Sequence, residues 1–323
     1  MLTGGFHNCK KNSEIDGIKI IRYGRALLPH FVLPIFLLKY SYDVVIADLG
    51  HAVPWAFPVL LRKRTVVSFL HLHRRSLKGQ VNTISAFIIS ALERCYFIIY
   101  HKSNFVTISN SSYSDLLGLG IRANKISLIN PGYNNETFKP ANKTGFASMV
   151  YFGGLREYKR PEIALYTISQ VRIKFPNAKL FVVGEGPMLK KLKKLSDSLC
   201  LKDNVNFTGL ISRDQLAEYV ASAWLNLHCS ETEGWGISIT EASGAGTPTV
   251  AFSVPGVTDA IEDDQNGIKV KDGDINAFVE AALKILRDPV PWQMSSRKVA
   301  EKYSWDETAK KWDVLIRRTV EGD

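Results

Sequence analysis

Residues 230–248 read Ser-Glu-Thr-Glu-Gly-Trp-Gly-Ile-Ser-Ile-Thr-Glu-Ala-Ser-Gly-Ala-Gly-Thr-Pro, and this stretch is the most informative part of the chain. Two carboxylates, Glu233 and Glu241, flank a Gly-Trp-Gly turn that opens a predicted helix. Glycine lets the backbone approach a ligand closely, and the N–H groups and positive dipole at a helix start favour an anion. The acids can accept hydrogen bonds from hydroxyls on either side of that anion. A nucleotide-diphosphate sugar has this arrangement of hydroxyls around a charged centre.

The same residues allow a simpler interpretation. Ser238 and Glu241 fit the Ser-x-x-Glu capping box, in which a serine and an acid satisfy N–H groups at a helix start. Glu241 is therefore either a cap or a ligand-binding acid. The whole run is more specific than the cap, because it continues through Gly-Thr-Pro-Thr-Val-Ala into a predicted strand.

The run resembles the Glu-x7-Glu signature of retaining glycosyltransferases, family 4 in particular, which have the GT-B fold. That resemblance implies an α/β protein with two Rossmann-like domains facing each other across a cleft. It further implies that Glu233 binds the donor sugar, that Glu241 binds the ribose, and that the turn amides bind the diphosphate. Those amides belong to Gly234, Trp235, Gly236 and Ile237.

A second motif, Phe-Gly-Gly-Leu-Arg-Glu-Tyr-Lys-Arg-Pro, follows a predicted strand. The family reads Gly-Arg-Leu with a lysine four residues later, and its arginine and lysine both bind the diphosphate. Lys159 matches that lysine, whereas Gly154, after Gly153, stands where the family has arginine. We expect Arg156 or Arg160 to reach the phosphate instead. A solvated loop lysine is the alternative interpretation of Lys159.

Transfer from such a donor loads negative charge onto the departing phosphate oxygen, and fixed hydrogen-bond donors stabilise that charge in the transition state. A helix start supplies about 2 kcal/mol in a partly buried geometry, whereas enzymes lower barriers by about 8 to 23 kcal/mol. A cation such as Lys159 must therefore share the load. This arrangement could replace a divalent metal, and no Asp-x-Asp run is placed to hold one. We expect neither a metal nor a cofactor.

Two further loops follow predicted strands. Gly-Glu-Gly-Pro resembles the family's Gly-x-Gly-Pro loop near the nucleotide, which implies contacts from Gly184 and Gly186. A plain strand-to-helix turn is the alternative, and NAD is not expected because the dinucleotide fingerprint is absent. Thr208, Gly209 and Leu210 could offer backbone groups to the base.

Residues 68–75, Ser-Phe-Leu-His-Leu-His-Arg-Arg, end a predicted strand where the interdomain cleft is expected. A family histidine at the end of this strand contacts the donor sugar near the reacting carbon. We assign that role to His71, with His73 as the alternative, because the local alignment is ambiguous by two residues. His71, Glu233 and Lys159 make up the predicted catalytic set.

Short apolar β-branched runs alternate with helical patterns along the chain, which predicts parallel sheets with helices on both faces. The predicted strands are 18–23, 43–48, 65–70, 105–109, 126–129, 149–153, 179–183, 205–208, 224–228, 248–252 and 267–270. Residues 131–147 are predicted to form the linker. The predicted units are an incomplete acceptor-side domain (1–143), a nucleotide-sugar-binding domain (147–303) and a last helix that crosses back to the first domain (304–323).

The front of the chain departs from the family. The family's first strand and its glycine-rich acceptor-side loop have no counterpart among the predicted elements, so we expect an N-terminally truncated member. This departure and Gly154 favour the alternative of a non-catalytic subunit that binds the nucleotide sugar. A nucleotide-sugar epimerase on the same fold is a further alternative. The main prediction is a retaining hexosyltransferase that acts on a glycan or lipid-linked acceptor.

Composition sets the class and compartment that we expect. The 323 residues are 46% hydrophobic and 22% charged, which is typical of a globular protein with two domains. Four distant cysteines without a Cys-x-x-Cys predict neither disulfides nor a zinc site. With no signal peptide visible after Met1, these features favour the cytoplasm.

The net charge of +10 is unevenly spread. Residues 1–143 contain 18 Lys and Arg against 7 Asp and Glu, and the remainder contains 23 against 24. This basic excess fits an anionic membrane surface, and lysine that merely solubilises the domain is an equal alternative. Nucleic acid is not expected as a partner, because no nucleic-acid-binding motif accompanies the charge.

Two apolar segments lie in this basic part. Residues 27–38 are too short to span a bilayer and are broken by prolines. An interior helix is the favoured interpretation, and a peripheral membrane attachment with nearby basic residues is the alternative. Residues 84–100 predict a buried helix, because Glu93 and Arg94 interrupt the apolar run. The basic residues near the first segment are Arg22, Arg25, Arg62, Lys63 and Arg64.

Overall fold

The first strands form a small sheet of their own in the computed structural model, which describes residues 1–5, 9–24, 28–50, 53–61, 64–75 and 82–322. Strands β1 (Leu2–Thr3) and β2 (Asn12–Ile15) flank β3 (Ile18–Arg22), the first parallel and the second antiparallel. Assigning 18–23 to the first parallel sheet was therefore wrong. Asp-Gly at 16–17, with positive φ at both residues, closes a β2–β3 hairpin. The expected absence of a front strand and glycine loop stays a prediction.

The next four strands form a fully parallel sheet in the order β4-β5-β6-β7, as the sequence predicted. Their buried residues are mostly β-branched or aromatic, which suits a sheet covered on both faces. Polar and exposed residues come where the strands end. The strands are β4 (Val45–Asp48), β5 (Thr65–Phe69), β6 (Asn104–Thr107) and β7 (Ile126–Leu128).

Some helices of this part pack on one face of the four-stranded sheet. Tyr96 and Tyr100 are fully buried there and meet Phe69 and Phe105 edge to face. Such aromatic contacts add to the burial of apolar area, so this corner holds the core of the first part. The helices are α1 (Leu28–Lys39), α2 (Phe57–Leu60), α3 (Thr83–Arg94), α4 (Tyr96–Tyr100) and α5 (Asn110–Gly118).

The two apolar segments are not interior helices, which corrects both expectations. On α1, Phe31, Ile35 and Leu38 are 75%, 68% and 74% exposed. Thr83–Tyr100 is long and apolar enough to cross a membrane by length and composition, yet only 17% of it is buried. An apolar pattern predicts burial without saying what covers the helix. Of the predicted attachment, Leu27, Arg25, Arg62 and Lys63 lie outside the described residues.

The second part is a six-stranded parallel sheet in the order β10-β9-β8-β11-β12-β13. The strand order reverses between β8 and β11, and ligands bind at such a switch point outside the carboxyl ends of the strands. Every predicted strand of this part is present within one residue at either end. The strands are β8 (Ser148–Phe152), β9 (Lys179–Val183), β10 (Val205–Gly209), β11 (Leu225–His228), β12 (Thr249–Phe252) and β13 (Gly267–Val270).

Helices cover both faces of this sheet. One face packs against α6 and α11, whose apolar residues join the main core cluster. The other face packs against α8, α9 and the end of α12, mostly through alanines, which allows close contact. The helices are α6 (Glu162–Lys174), α7 (Leu189–Ser198), α8 (Arg213–Ser222), α9 (Ile237–Gly244), α10 (Val257–Ala260), α11 (Ile275–Arg287), α12 (Val290–Ala300) and α13 (Trp305–Glu321).

The last helix, α13, lies against the four-stranded sheet. Trp312 and Leu315 pack on Val66 and Val106, on the face opposite to the buried tyrosines. Thr308 also donates from Oγ1 to the carbonyl of Asn130 at 2.8 Å. The chain thus returns to the first sheet after completing the second one. The domain boundaries drawn from the sequence stay predictions.

Lys143, in the predicted linker, carries an unusual amine. Its Nζ donates to the carbonyl of Ala223 at 2.8 Å and to Thr247 Oγ1 at 2.7 Å. Burial lowers its pKa from 10.5 to about 7, because an ammonium loses hydration that these neutral acceptors replace only in part.

We expect this amine to make the protein more stable as the pH rises from about 7 towards 10.5. In that window the unfolded chain holds a proton that the folded chain has lost, so the free energy of unfolding rises with pH, by at most about 1.4 kcal/mol per unit. Urea unfolding of the wild type and Lys143→Met between pH 6 and pH 9.5 measures the effect. The free energy of unfolding of the wild type should rise relative to that of the variant as the pH rises, and parallel curves would contradict the assignment.

Candidate functional site

A cleft of about 560 Å³ opens at the switch point of the second sheet and faces the carboxyl end of β5. Residues of both sheets line it, as expected for a site between two α/β units. The predicted site residues that line it are His71, Gly153, Gly154, Lys159, Gly184, Gly209, Leu210, Glu233, Gly234, Trp235, Gly236, Ile237 and Glu241.

Helix α9 begins at the wall of this cleft. Its N-cap is Gly236, whose φ of 84° is a left-handed conformation that favours glycine. Gly236, Ile237 and Ser238 line the cleft, so the N–H groups of the first turn and the positive dipole end lie at its wall. Trp235 is buried beside them and donates from its indole to Thr240 Oγ1 at 2.9 Å, which fixes the turn.

The capping-box interpretation of Ser238 and Glu241 is wrong. The helix starts two residues earlier than that box requires, at Gly236, and no side chain caps it. Ser238 Oγ lies instead 3.1 Å from His228 Nδ1. The carboxylate of Glu241 pairs with Arg213 instead of capping the helix. The helix start is therefore open to an anion.

Glu233 forms an ion pair with Lys159 at the edge of the helix start. Lys159 ends a 3-10 turn after β8, and Glu233 lies in the loop after β11. Burial would raise the pKa of the Glu233 carboxyl, but the neighbouring His228 and the Lys159 ammonium outweigh burial and hold it below its ordinary value. The cleft therefore offers an ionised acceptor and a cation side by side.

Glu241 lies deeper in the same wall, where it is 4% exposed. It pairs with Arg213, which begins α8 and stacks over the ring of Phe138 at 4.7 Å. Burial raises the pKa of the Glu241 carboxyl, and the charge of Arg213 opposes that rise. The Glu241 carboxylate can accept hydrogen bonds from a polar ligand, and the Arg213 guanidinium can donate hydrogen bonds to it.

The opposite wall consists of residues that follow β5 and β6. His71 lines the cleft with Leu70 and Ile108. Burial lowers the pKa of His71, and the nearby His73 lowers it further, so the imidazole is neutral at pH 7. A Cβ built on Gly234 would lie 3.4 Å from His71 Nδ1 and 3.2 Å from the Leu70 carbonyl. The two walls therefore approach each other closely at this point.

His73 turns away from the cleft. Its Nε2 lies 3.2 Å from the Gly50 carbonyl and its Nδ1 lies 3.5 Å from the buried carboxylate of Glu93. Of the two histidines that the sequence left open, the structure brings only His71 to the cleft.

Comparison with known proteins identifies the family to which the chain belongs. A model of the family described as glycosyl transferases group 1 matches residues 133–311, more than half of the chain. The chain belongs to the group 1 glycosyltransferases. This group 1 glycosyltransferase is 28% identical to the sulfoquinovosyl transferase SQD2 of Arabidopsis thaliana over 64% of the chain and 43% of that protein. It is 24% identical to an uncharacterized glycosyltransferase of Methanocaldococcus jannaschii over 96% of the chain and 87% of that protein.

Several curated relatives are much longer than the matched region, and the chain spans about half of their length. Among solved structures, sucrose-phosphate synthase from Thermosynechococcus elongatus superposes with a TM-score of 0.84 at 20% identity, covering 100% of the chain and 89% of that structure. HepE from Anabaena in complex with UDP and glucose gives 0.74 at 17% identity, covering 93% and 86%. The predicted GT-B fold of this group 1 glycosyltransferase is confirmed.

Four predicted residues of this group 1 glycosyltransferase do not line the cleft. Arg160 is held by contacts outside the cleft wall. Its guanidinium donates to the carbonyls of Cys229 and Ser230 at 2.7 and 2.9 Å and to the carboxylate of Asp272 at 2.7 Å. Its left-handed backbone, with φ 46°, ends the turn that carries Lys159. The structure therefore does not bring Arg160 to the cleft wall, where we expected it to reach a phosphate.

The other three lie near the cleft but outside its wall. Arg156 is exposed on the turn before Lys159. A Cβ on Gly186 would lie 2.5 Å from the Leu155 carbonyl, so this glycine allows two loops to pack rather than a ligand to approach. Thr208 donates from Oγ1 to the carbonyl of Gly209 at 3.1 Å.

Sequence reasoning missed two polar residues beside the predicted acids. Arg213 lines the cleft and pairs with Glu241, and its signal was a Ser-x-x-Gln capping box directly after a strand end. His228 ends β11 with its Nε2 3.3 Å from Glu233 Oε1, so it positions that acid. Side chains at carboxyl ends of neighbouring strands meet at one edge, and this rule could have identified His228.

A contact between the two parts of this glycosyltransferase was also missed. Asp259 of α10 accepts from the N–H groups of Asn110 and Ser111, each at 3.2 Å, and from Ser111 Oγ at 2.6 Å. The N–H of Gly256 donates back to Ser111 Oγ at 3.1 Å. A carboxylate at the start of α5 complements the helix dipole, so this contact helps to set the separation of the cleft walls.

A metal site was not expected. Within the described part of the chain, no group of three or more His, Cys, Asp or Glu could hold a metal ion. Donor binding without a metal stays a prediction.

Proposed function

We propose that this chain transfers a hexose from a nucleotide-diphosphate sugar to a glycan or lipid-linked acceptor, with retention at the anomeric carbon, as in family 4. The observation that carries the proposal is the composition of the cleft walls. One wall combines an open helix start, the Lys159 ammonium and two carboxylates, and the other presents His71. The anionic and hydroxyl-rich parts of such a donor match these groups.

The proposed roles are those that the family resemblance implies, and they suit the groups that line the cleft. The diphosphate lies at the start of α9, with Lys159 beside it, where fixed donors meet the charge that develops on the departing oxygen. Glu233 accepts from sugar hydroxyls, and Glu241 accepts from the ribose. His71, neutral at pH 7, contacts the sugar from the opposite wall and helps to exclude water. No metal takes part in this proposal.

The acceptor is proposed to lie at the cytoplasmic face of a membrane. Another relative, 26% identical over 67% of the chain, is named as part of a phosphatidylinositol N-acetylglucosaminyltransferase of Arabidopsis thaliana. The basic excess of residues 1–143 suits an anionic surface. Nucleic acid has no part in the proposed function.

Calorimetry with UDP and with GDP, followed by assays of donor turnover, tests the proposal. We expect one nucleotide to bind at micromolar affinity and its hexose donor to be hydrolysed slowly without acceptor. Nucleotide binding without turnover of the donor, with both glycan and lipid-linked acceptors supplied, would instead indicate a non-catalytic subunit. A donor whose sugar is epimerised but remains attached to the nucleotide would indicate an epimerase. NMR of the transferred sugar distinguishes retention from inversion at the anomeric carbon.

A further inference from the structure

Besides the outer face of α1, an exposed apolar surface outside the cleft lies on α3. Ile84, Phe87 and Ile88 are 74%, 74% and 52% exposed, and Ala91 continues the same face. Their spacing of three and four residues places them in one stripe along the helix. Asn82 caps the start of α3 by accepting from the N–H of Ser85 at 2.8 Å, so the helix begins where this stripe begins.

The other end of α3 is anchored in the fold. Glu93 is completely buried and accepts from the backbone N–H of His73 at 2.5 Å. Tyr96 and Tyr100, on the following helix, are fully buried against the four-stranded sheet. Thr83–Tyr100 therefore cannot cross a bilayer while this core is intact. Residues 83–92 remain at the surface and are about 15 Å long, half of a hydrocarbon core of about 30 Å.

The sequence around α3 is strongly basic. Residues 49–114 contain eight Lys and Arg and a single acid, Glu93, whose charge is buried. Arg94 is exposed and follows Phe87 by seven residues, which places it on the same face as the stripe. Lys102 is exposed just beyond the next helix. An apolar stripe with cations beside it matches a surface that has an anionic outer layer and an apolar interior.

The anchor of α3 is close to the cleft. Glu93 binds the backbone of His73, and the rings of His73 and His71 are 5.0 Å apart between centroids. The anchored end of α3 is therefore connected through His73 to His71 in the cleft wall.

We propose that the apolar face of α3 inserts into the headgroup boundary of an anionic lipid bilayer and so holds the cleft beside a membrane acceptor. This inference rests on the proposed function for the acceptor, whereas lipid binding itself does not. The helix lies in the interface: the aromatic and branched side chains enter the acyl boundary, and Arg94 and Lys102 remain among the headgroups.

Sedimentation with sucrose-loaded vesicles, of phosphatidylcholine alone or with about 30% phosphatidylglycerol, tests the proposal on the full chain. We expect binding to the anionic vesicles that weakens with added salt. The variant Ile84→Ser/Phe87→Ser/Ile88→Ser should bind at least about tenfold more weakly, since each side chain buries apolar area in the bilayer. Arg94→Gln/Lys102→Gln should lose about fivefold per charge, and only on the anionic vesicles.

A matched control replaces two apolar residues that are equally exposed but lie in the second part. Ile173 and Met294 are 71% and 75% exposed, and Ile173→Ser/Met294→Ser should bind vesicles as the wild type does. Circular dichroism, and calorimetry with the nucleotide that the wild type binds, check that each variant is folded with its cleft intact. Unchanged vesicle binding by the folded α3 variant would overturn the inference. So would light scattering that shows a dimer which this variant dissociates, since a second copy would then cover the stripe. Vesicle binding without donor turnover would defeat the proposed function and leave the lipid surface standing.

Discussion

Replacing Lys159 by alanine is expected to lower kcat/KM for hexosyl transfer by about 10²- to 10³-fold, the range measured when one fixed donor to a developing anion is removed. Lys159 is the ammonium that lines the cleft beside the start of α9. The helix dipole remains in the variant, so residual turnover should survive. Steady-state kinetics with the donor identified by calorimetry measures the loss.

The loss has a physical basis in the pairing seen here. Lys159 is held by Glu233 and is 22% exposed, so its charge is poorly screened by water. A bound diphosphate shares this ammonium with the carboxylate, and the ammonium gains most where negative charge grows during bond breaking. The effect should therefore appear mainly in kcat, with a smaller weakening of nucleoside-diphosphate binding.

Arg156→Ala is the matched control for this prediction. Both cations were predicted to bind the diphosphate, but Arg156 is exposed outside the cleft wall. Its replacement should change kcat/KM by less than about twofold, as surface changes usually do. Equal losses in the two variants would show that the turn moves in the active state, and a Lys159→Ala enzyme within about threefold of the wild type would contradict the diphosphate role.

Residues along the chain show which parts of this fold were predictable. The apolar β-branched runs before Lys159 and before His71 located their strands within a residue, because a buried parallel strand requires such a run. Since carboxyl ends of parallel strands meet at one edge, the loops after them also assembled as predicted. Most of the cleft wall that the glycines and acids form could therefore be predicted from the local sequence.

The remaining parts depend on contacts between distant segments. Arg213 reaches Glu241 from 28 residues away, and Asp259 reaches Ser111 from 148 residues away. No periodicity encodes such a meeting. Arg160 lies outside the cleft wall for the same reason, since its partners lie in the loops after β11 and β13. The helix that contains Ile84 was expected to be buried in the protein because its sequence is apolar. An apolar run suits a lipid interior as well as a protein interior, so the sequence alone does not distinguish them.

Replacing Glu233 by glutamine is expected to lower kcat/KM about 10²-fold, as the loss of a charged hydrogen bond worth roughly 1.5–3 kcal/mol requires. The pKa of this carboxyl is held below its ordinary value, so it stays ionised through the working pH range, and mild acid should not mimic the variant. Because the proposed contact is with sugar hydroxyls, the Kd for the nucleoside diphosphate should change by less than about threefold. Glu231→Gln, two residues away and outside the cleft wall, is the matched control and should be nearly silent.

A double-mutant cycle then tests whether Glu233 and Lys159 act as one unit. Glutamine at 233 leaves the Lys159 ammonium without its counterion, and alanine at 159 leaves the carboxylate half-buried without its cation. Each single variant therefore carries a penalty that the other change removes. We expect Lys159→Ala/Glu233→Gln to lose clearly less than the product of the two single losses. Fully multiplicative losses would mean that donor binding separates the pair completely, with the acid and the ammonium then acting independently on sugar and phosphate.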